Sequence, residues 1–419
     1  MRILVIGRGG REHAIVWALS KSPKVSKLFC APGNGGIAAL AECVPIQELQ
    51  FAEIGQFAQD EQIGLVVVAP DDPLSEGLVD YLEERGILAF GPRANAAIIE
   101  GSKIFTKDLL KKYSIPTATY ESFEAYEPAL AYLRSQSVPI VVKADGLAAG
   151  KGVTVARTLE EAEKALHDIM VEQIFGASGA KVVIEEFLQG QEMSLLAFVD
   201  GNTVRPMVPS QDHKPVYDND EGPNTGGMGT YSPLPHIPES VVQEAIETIV
   251  RPTAEAMVKE GRPFKGVLYA GLILTEQGTK TIEFNARFGD PETQVILPRL
   301  KTDLLDIFLA VVHGTLAEQP IEWSDEAAVC VIVASAGYPA SYPKGLAITG
   351  LDQVTDSLVF HAGTALKDGQ LVTNGGRVLG ITGLGKDIAE AREKAYADAE
   401  RIQFEGKHYR SDIAMKALR

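Results

Sequence analysis

From Thr281 to Glu292 the chain reads TIEFNARFGDPE, and this stretch leaves few folds open. Read as a strand, its side chains alternate between two faces. Ile282, Phe284 and Ala286 fall on one face and are apolar; Glu283, Asn285 and Arg287 fall on the other and are polar. An ordinary strand with a solvated face has the same pattern. Here, however, the polar face sets a carboxylate, an amide and a guanidinium in succession, about 7 Å apart. Carboxylate and amide oxygens are hard ligands that suit Mg²⁺, which takes one or two protein groups and completes its shell with phosphate oxygens. A guanidinium two positions on suits bidentate contact with a phosphate or an acyl phosphate. Phe288-Gly289-Asp290-Pro291 then breaks the strand.

The 419 residues suggest about three domains. No run of 18 apolar residues is present, so no membrane-spanning segment is expected, and Met1 leads straight into a strand without a signal-peptide pattern. Cys30, Cys43 and Cys330 are scattered, with neither zinc spacing nor a disulfide framework, which fits a reducing cytoplasm. The net charge of −17 without a basic run argues against nucleic acid or an anionic membrane as partner. It does not exclude an anionic small substrate, because surface carboxylates beyond about 8 Å are screened.

Residues 2–6, RILVI, form a short apolar strand followed by Gly7-Arg8-Gly9-Gly10 and a helix from Arg11 to Ser20. A dinucleotide fingerprint needs a third glycine where Glu12 stands and an acid at the end of the next strand, where Ala31-Pro32-Gly33-Asn34-Gly35-Gly36 stands. The reading is therefore a doubly wound parallel-sheet domain without NAD, whose glycine turn at a helix N-terminus suits a phosphate. Leu65–Ala69 is a further buried strand running into a turn at Pro70–Leu74, and the first domain closes near residue 100. Ser102 caps a helix to about Tyr113 in which Lys103 and Lys107 share a face.

Next comes a small unit. Val138–Lys143 and Val153–Ala156 are strands around ADGLAAGKG, residues 144–152. This hairpin tip, with Gly146, Gly150, Lys151 and Gly152 and with Lys143 at its base, can cover phosphates with N–H groups and positive charge. It is not a Walker loop, since Asp145 replaces the first Gly and Gly152 the Ser/Thr. Thr158 and Glu161 form a capping box, and Lys181–Glu186 is a third strand. The turn after it, Glu185-Glu186-Phe187-Leu188, can offer backbone groups to an adenine edge, and Glu192 can accept from ribose hydroxyls. Residues 211–233 read as a long functional loop carrying Asp212, His213, Lys214 and Thr225-Gly226-Gly227-Met228-Gly229. A helix is expected over roughly 239–260, and a third domain from about Ala327.

Taken together, GRGGREHA (7–14), APGNGG (31–36), VVKADGLAAGKGV (141–153), EEFLQGQEMS (185–194), QDHK (211–214), GPNTGGMG (222–229) and EFNARFGDPETQ (283–294) resemble the phosphoribosylamine–glycine ligases, also called glycinamide ribonucleotide synthetases, a family of the ATP-grasp superfamily. The resemblance covers essentially the whole chain. It departs at Asp71-Asp72 and at Pro215. It implies an α/β and α+β multidomain protein. The N-terminal Rossmann-like domain would span 1–102, an ATP-grasp domain with a small mobile lid at about 115–188 would span 103–325, and a mixed α/β domain 326–419.

The resemblance also implies the chemistry: ATP phosphorylates the glycine carboxylate, and the amine of 5-phosphoribosylamine attacks the glycyl phosphate to give glycinamide ribonucleotide, ADP and phosphate. By resemblance, Lys103, Lys143 and the loop with Gly146, Gly150, Lys151 and Gly152 hold the ATP phosphates. Glu185, Glu186 and Leu188 hold adenine, and Glu192 holds ribose. Glu283 and Asn285 bind Mg²⁺ or Mn²⁺. Arg287 stabilises transferring charge, and Asp212 and Lys214 join it at the reacting centre. Thr225, Gly226, Gly227, Met228 and Gly229 line the acceptor site, while Gly9, Gly10, Arg11 and Asn34 hold the phosphoribosyl substrate. A cytoplasmic monomer is expected. Other ATP-grasp ligases, a non-catalytic ATP sensor and a nicotinamide dehydrogenase are the rivals; the GPNTGGMG loop disfavours the first and Glu12 the last.

Overall fold

The strand RILVI is apolar on both faces because both faces are covered. The computed structural model describes residues 1–147 and 152–418. In it, Arg2–Gly7 is the middle strand of a five-stranded sheet in the order Glu42–Cys43, Lys27–Pro32, Arg2–Gly7, Leu65–Val68, Ala89–Phe90. All its pairings are parallel. Ile3 and Val5 pack with Ala14 and Ile15 of the helix Gly10–Ser20, and Leu4 and Ile6 pack with Ile54 and Ala58 of the helix Phe51–Asp60. This is the doubly wound arrangement expected. The segment after Leu65–Val68 is not a plain turn, since Asp71–Ser75 is a short helix. Proline is tolerated in a first helical turn, where its missing N–H has no partner to lose.

The chain then enters the helix Lys103–Lys112, whose N-cap Ser102 accepts from the Phe105 N–H. A four-stranded antiparallel sheet follows in the order Tyr120–Phe123, Val182–Glu186, Ile140–Ala144, Val153–Ala156. The strand Tyr120–Phe123 was not expected. The helices Tyr126–Ser135 and Leu159–Met170 cover this sheet, the second opened by the Thr158–Glu161 capping box. Leu133, Val142, Leu166 and Ile184 belong to an apolar core separate from the main one. A unit with its own core can pivot as a body, which is what a lid requires.

A second four-stranded sheet, Val204–Pro206, Gln191–Asp200, Lys265–Thr275, Gly278–Asn285, carries the stretch from which the sequence reading began. A bulge sits in it. Gly271 pairs with Glu283 and Leu272 with Thr281, leaving Ile282 without a partner. Phe284 and Ala286 are buried in the main core as expected, but Ile282 is not; it lines a cleft instead. The extra residue of a bulge breaks the period-two alternation and re-aims a side chain. The expected helix over 239–260 is α over Glu239–Ala245, a π turn over Ile246–Val250 and α again over Arg251–Lys259. Pro252 explains the break, since it has no N–H to give the turn before it.

Residues 211–233 are not an irregular loop. Gln211–Asp212 pairs with Gly229–Ser232, and Pro215–Tyr217 pairs with Glu221–Asn224 as a hairpin. Gly229–Ser232 in turn joins Ala327–Ala334 in a five-stranded sheet with Arg377–Gly385 and Ser357–His361. The partner strand lies about a hundred residues downstream, so the glycine- and proline-rich composition read as a loop.

The first and last units meet at a histidine pair. His13 Nδ1 accepts the His361 backbone N–H at 2.7 Å, and the two rings lie 5.5 Å apart. Burial, with a smaller contribution from His361, pushes His13 down to about 3. Unfolded histidine takes a proton near pH 6.5, whereas folded His13 refuses it until about pH 3. Stability contributed by neutral His13 is therefore complete above about 6.5 and lost progressively as pH falls toward 3. Melting temperatures measured from pH 7 to 4.5 should fall less steeply in His13→Gln, whose amide oxygen can still accept from His361. An unchanged slope would remove His13 from the account.

Candidate active site

Three sheets and the helix Lys103–Lys112 enclose a cleft of about 450 Å³. The end of the strand Gly278–Asn285 supplies Glu283, Asn285 and, just beyond, Arg287 to its wall. Glu283 lies 3.6 Å from Lys214 Nζ. Burial would raise its pKa, but Lys214, Lys143, Lys103 and Arg287 outweigh burial and hold it at about 2. In return, Glu283 is the main reason Lys214 is pushed above its usual value. Among the described residues the Glu283 carboxylate accepts no hydrogen bond, while Asn285 Oδ1 accepts from Arg287 Nη2 at 3.2 Å. An ionised carboxylate with free lone pairs beside an amide oxygen fits a hard divalent ion. No group of three or more His, Cys, Asp or Glu suited to a metal occurs among the described residues. The donor set is thus that of an ion completed by ligand oxygens rather than by an all-protein cage.

Arg287 is fixed from behind. Its Nη2 lies 2.8 Å from Glu100 Oε1, and Glu100 Oε2 accepts the Ala286 N–H at 2.8 Å. Burial holds Glu100 above the ordinary carboxylate range even with Arg287 beside it. Across the cleft, Lys103 Nζ donates to the Gly146 carbonyl at 3.1 Å and its pKa is lowered by burial. Asp145 caps the same helix by accepting from the Ile104 N–H at 2.8 Å, which ties the base of the glycine loop to Lys103. Lys143 Nζ lies 3.0 Å from Glu185 Oε1 and donates to the Ile282 carbonyl at 3.3 Å. Lys107 is fully buried rather than a solvated surface lysine. Its Nζ lies 3.0 Å from Glu185 Oε2 and donates to Thr117 Oγ1 at 2.7 Å, and burial pulls it down to about 8.

The opposite wall is acidic. Asp212 is raised well above its usual value by burial and by Glu292. Glu292 Oε1 accepts from Tyr269 OH at 2.5 Å and from Ser194 Oγ at 3.3 Å. Asp290 is held low because Arg377 and Arg11 outweigh its burial. Cations on one side, a metal-type donor pair at the centre and an acidic wall opposite are the charge arrangement that suits phosphoryl transfer.

Residues 1–100, 101–293 and 328–416 match the N, ATP-grasp (A) and C domains of phosphoribosylglycinamide synthetase, respectively. The chain belongs to the phosphoribosylglycinamide synthetase family. It is 52% identical to the phosphoribosylamine–glycine ligase of Caldanaerobacter subterraneus subsp. tengcongensis, over 99% of each chain. The crystal structure of a phosphoribosylamine–glycine ligase from Thermotoga maritima superposes with a TM-score of 0.88 at 37% identity, covering 99% of this chain and 100% of that one. A biotin carboxylase from Campylobacter jejuni in complex with β,γ-ATP shares the fold, with a TM-score of 0.75 at 14% identity, over 97% of this chain and 92% of that one.

Of the residues that the family resemblance singles out, the cleft brings together Arg11, Lys103, Lys143, Gly152, Glu185, Leu188, Glu192, Asp212, Lys214, Thr225, Gly226, Glu283, Asn285 and Arg287. Gly146 lies at its edge through the Lys103 contact. Gly150 and Lys151 lie outside the described residues. Glu186 also lines the cleft, and its carboxylate accepts from the Thr119 N–H and from Lys280. The backbone of Glu185 is inside the sheet, paired with Tyr120 and Val141, and its side chain bridges two lysines instead.

Six family positions do not face the cleft. Asn34 donates to the Arg8 and His361 carbonyls and accepts from Gly36 and Ile37, so its amide is saturated and joins the first and last units. The Gly9 N–H is taken by Glu12, the residue in the missing glycine's place, and a Cβ on Gly10 would meet Gln294 at 2.6 Å. Met228 is buried with Val216 and Ala334. Gly229 is a strand residue whose absent side chain leaves room for Ile413, 2.6 Å from where its Cβ would stand. Gly227 serves by conformation: its φ is +119°, and a Cβ would strike Asp212. Glu100, Lys107, Tyr269, Asp290, Glu292 and Arg377 were missed. Asp290 and Glu292 stand in the FGDPE stretch, where the local pattern shows only a break in the strand. Arg377 carries no local signal.

Proposed function

We infer that this chain is an ATP-dependent ligase that joins glycine to 5-phosphoribosylamine in purine biosynthesis, forming glycinamide ribonucleotide, ADP and phosphate through glycyl phosphate. The carrying observation is Glu283, held ionised among Lys214, Lys143, Lys103 and Arg287 at the centre of the cleft. In this reading Lys103 and Lys143 bind the ATP phosphates, with the glycine loop over them. Leu188 offers its backbone to adenine beyond the strand end, and Glu192 takes ribose. Glu283 and Asn285 would hold a divalent metal, Mg²⁺ or Mn²⁺, which when bound neutralises phosphate charge.

A glycine carboxylate oxygen attacks the γ-phosphorus, and the bond to the ADP oxygen breaks. Arg287, aimed by Glu100, faces the charge spread over the transferring group. The phosphoribosylamine nitrogen then attacks the acyl carbon, phosphate leaves, and Asp212, whose affinity for protons is raised, takes the amine's proton. Arg11, the one member of the glycine turn that lines the cleft, serves the substrate phosphate.

We propose further that the protein acts as a cytoplasmic monomer. In support, its large exposed apolar residues, such as Leu49, Ile174 and Leu366, lie on separate units. Light scattering at assay concentration checks this. The reaction is tested with ATP, a divalent metal, glycine and freshly made phosphoribosylamine. ADP and phosphate should appear one for one with the amide, and AMP and pyrophosphate in step with it would overturn the mechanism.

A further inference from the structure

Among the described residues the largest fully buried side chain is Arg410, close to the C-terminal end and outside the cleft. Its guanidinium grips Asp412 side-on, Nε to Oδ1 at 2.8 Å and Nη2 to Oδ2 at 2.8 Å. The remaining donors leave its own segment. Nη1 donates to the Pro215 carbonyl at 3.0 Å, and Nη2 to Asp220 Oδ1 at 3.0 Å. Both acceptors belong to the hairpin Pro215–Tyr217/Glu221–Asn224, nearly two hundred residues upstream. Neighbouring residues repeat the grip: Asp218 accepts from the Ser411 N–H at 2.8 Å and from its hydroxyl, and Asp412 accepts the Asn219 N–H at 2.9 Å.

Beyond these contacts the hairpin is held by Lys416 Nζ, 2.8 Å from Asp220 Oδ2, by His408 Nε2, 2.9 Å from the Val216 carbonyl, and by the packing of Val216 on Met228 and Ala334. Glu221–Asn224 is exposed at every residue, and of the opposite strand only Val216 is buried. Its tip is held in a conformation that side chains disfavour, with φ of +60° at Asn219 and +58° at Asp220. Yet its two ends lead directly into the cleft. Lys214 precedes it, Thr225 follows it, and the Lys214 carbonyl accepts both the Thr225 N–H at 2.8 Å and the Thr225 hydroxyl at 2.7 Å. Lys103 and Lys143 come from other elements, the helix Lys103–Lys112 and the strand Ile140–Ala144.

We propose that Arg410 is a positioning residue for the acceptor side of the site: by clamping the 215–224 hairpin it sets where Lys214 and Thr225-Gly226 stand, and so governs binding of the phosphoribosylamine substrate while leaving the ATP side untouched. This rests on the ligase reading above. In Arg410→Met the KM for phosphoribosylamine should rise about tenfold or more, with the KM for ATP within about twofold of wild type. Arg410→Lys should recover part of the loss. A residue needed only for stability would lower the melting temperature and the active fraction without separating the two constants. Ser411→Ala, at the exposed rim of the clamp, should raise the same KM by about threefold and speed hydrogen exchange over 215–224. It decides the matter if Arg410→Met fails to fold. Parallel rises in both KM values, or an unchanged phosphoribosylamine KM in Ser411→Ala, would overturn the proposal. If the wild-type protein makes no amide, the ligase reading fails instead, and unchanged exchange over 215–224 in Ser411→Ala then overturns the clamp by itself.

Discussion

Replacing Glu283 with alanine should lower turnover by about a hundredfold or more, the effect of losing one charge-stabilising contact worth on the order of 3 kcal/mol in a transition state. The melting temperature without ATP should stay within a few degrees of wild type, because Glu283 faces the cleft and adds nothing to the apolar core formed by Phe284 and Ala286. A modest loss is expected, since Lys214, Lys143, Lys103 and Arg287 lose the carboxylate they share. Glu283→Gln separates charge from shape: it keeps an oxygen of similar reach but not the negative charge, and should be nearly as inactive as Glu283→Ala. Asn285→Asp tests the neighbouring donor, because an added charge should keep or tighten metal binding while slowing phosphoryl transfer. Steady-state kinetics over a range of metal concentrations measures all three. Full activity of Glu283→Ala at ordinary metal concentration would falsify the central assignment.

Arg287→Met should lose both activity and stability, for separable reasons. Turnover falls about a hundredfold through the missing guanidinium. Stability falls because the buried Glu100 loses the one ion-pair partner it has among the described residues, and breaking a buried pair from one side costs about 3–5 kcal/mol. That corresponds to a fall in melting temperature on the order of 5 °C. The loss should be greater at pH 8 than at pH 5. Burial already holds Glu100 above its usual range, and without Arg287 it takes a proton more readily, which relieves the cost at low pH. Adding Glu100→Gln removes the stranded charge while its amide oxygen still accepts from Ala286. The double variant should regain most of the stability and none of the turnover. If turnover returned with stability, Arg287 would be a scaffold residue and not one that meets the transferring group.

Glu100 and Arg287 also mark a limit of reading in one dimension. Arg287 stood out because it shares a strand face with Glu283 and Asn285. Glu100 did not, because it lies near the end of the helix Ala94–Gly101, in an apolar stretch with no motif around it. Lys107 shows the same limit. Its spacing from Lys103 placed both on one helix face, but only the packing of the strand Val182–Glu186 over that face buries Lys107 against Glu185.

What the sequence determined by itself was everything that depends on spacing along a few residues. The doubly covered parallel strands, the Ser102 and Thr158 caps, the hairpin strands Ile140–Ala144 and Val153–Ala156 and the polar face of Glu283, Asn285 and Arg287 all follow from local periodicity and capping chemistry. Tertiary structure alone decided which residues meet. The bulge that turns Ile282 into the cleft, the saturation of Asn34, the burial of Met228 and the arrival of Arg377 beside Gly226 each depend on a partner strand or side chain far along the chain. A pairing such as Gly229–Ser232 with Ala327–Ala334 closes a loop of about a hundred residues, and nothing in the composition of either segment specifies the other. Its free energy comes from hydrogen bonds and buried surface that exist only once both segments are in place.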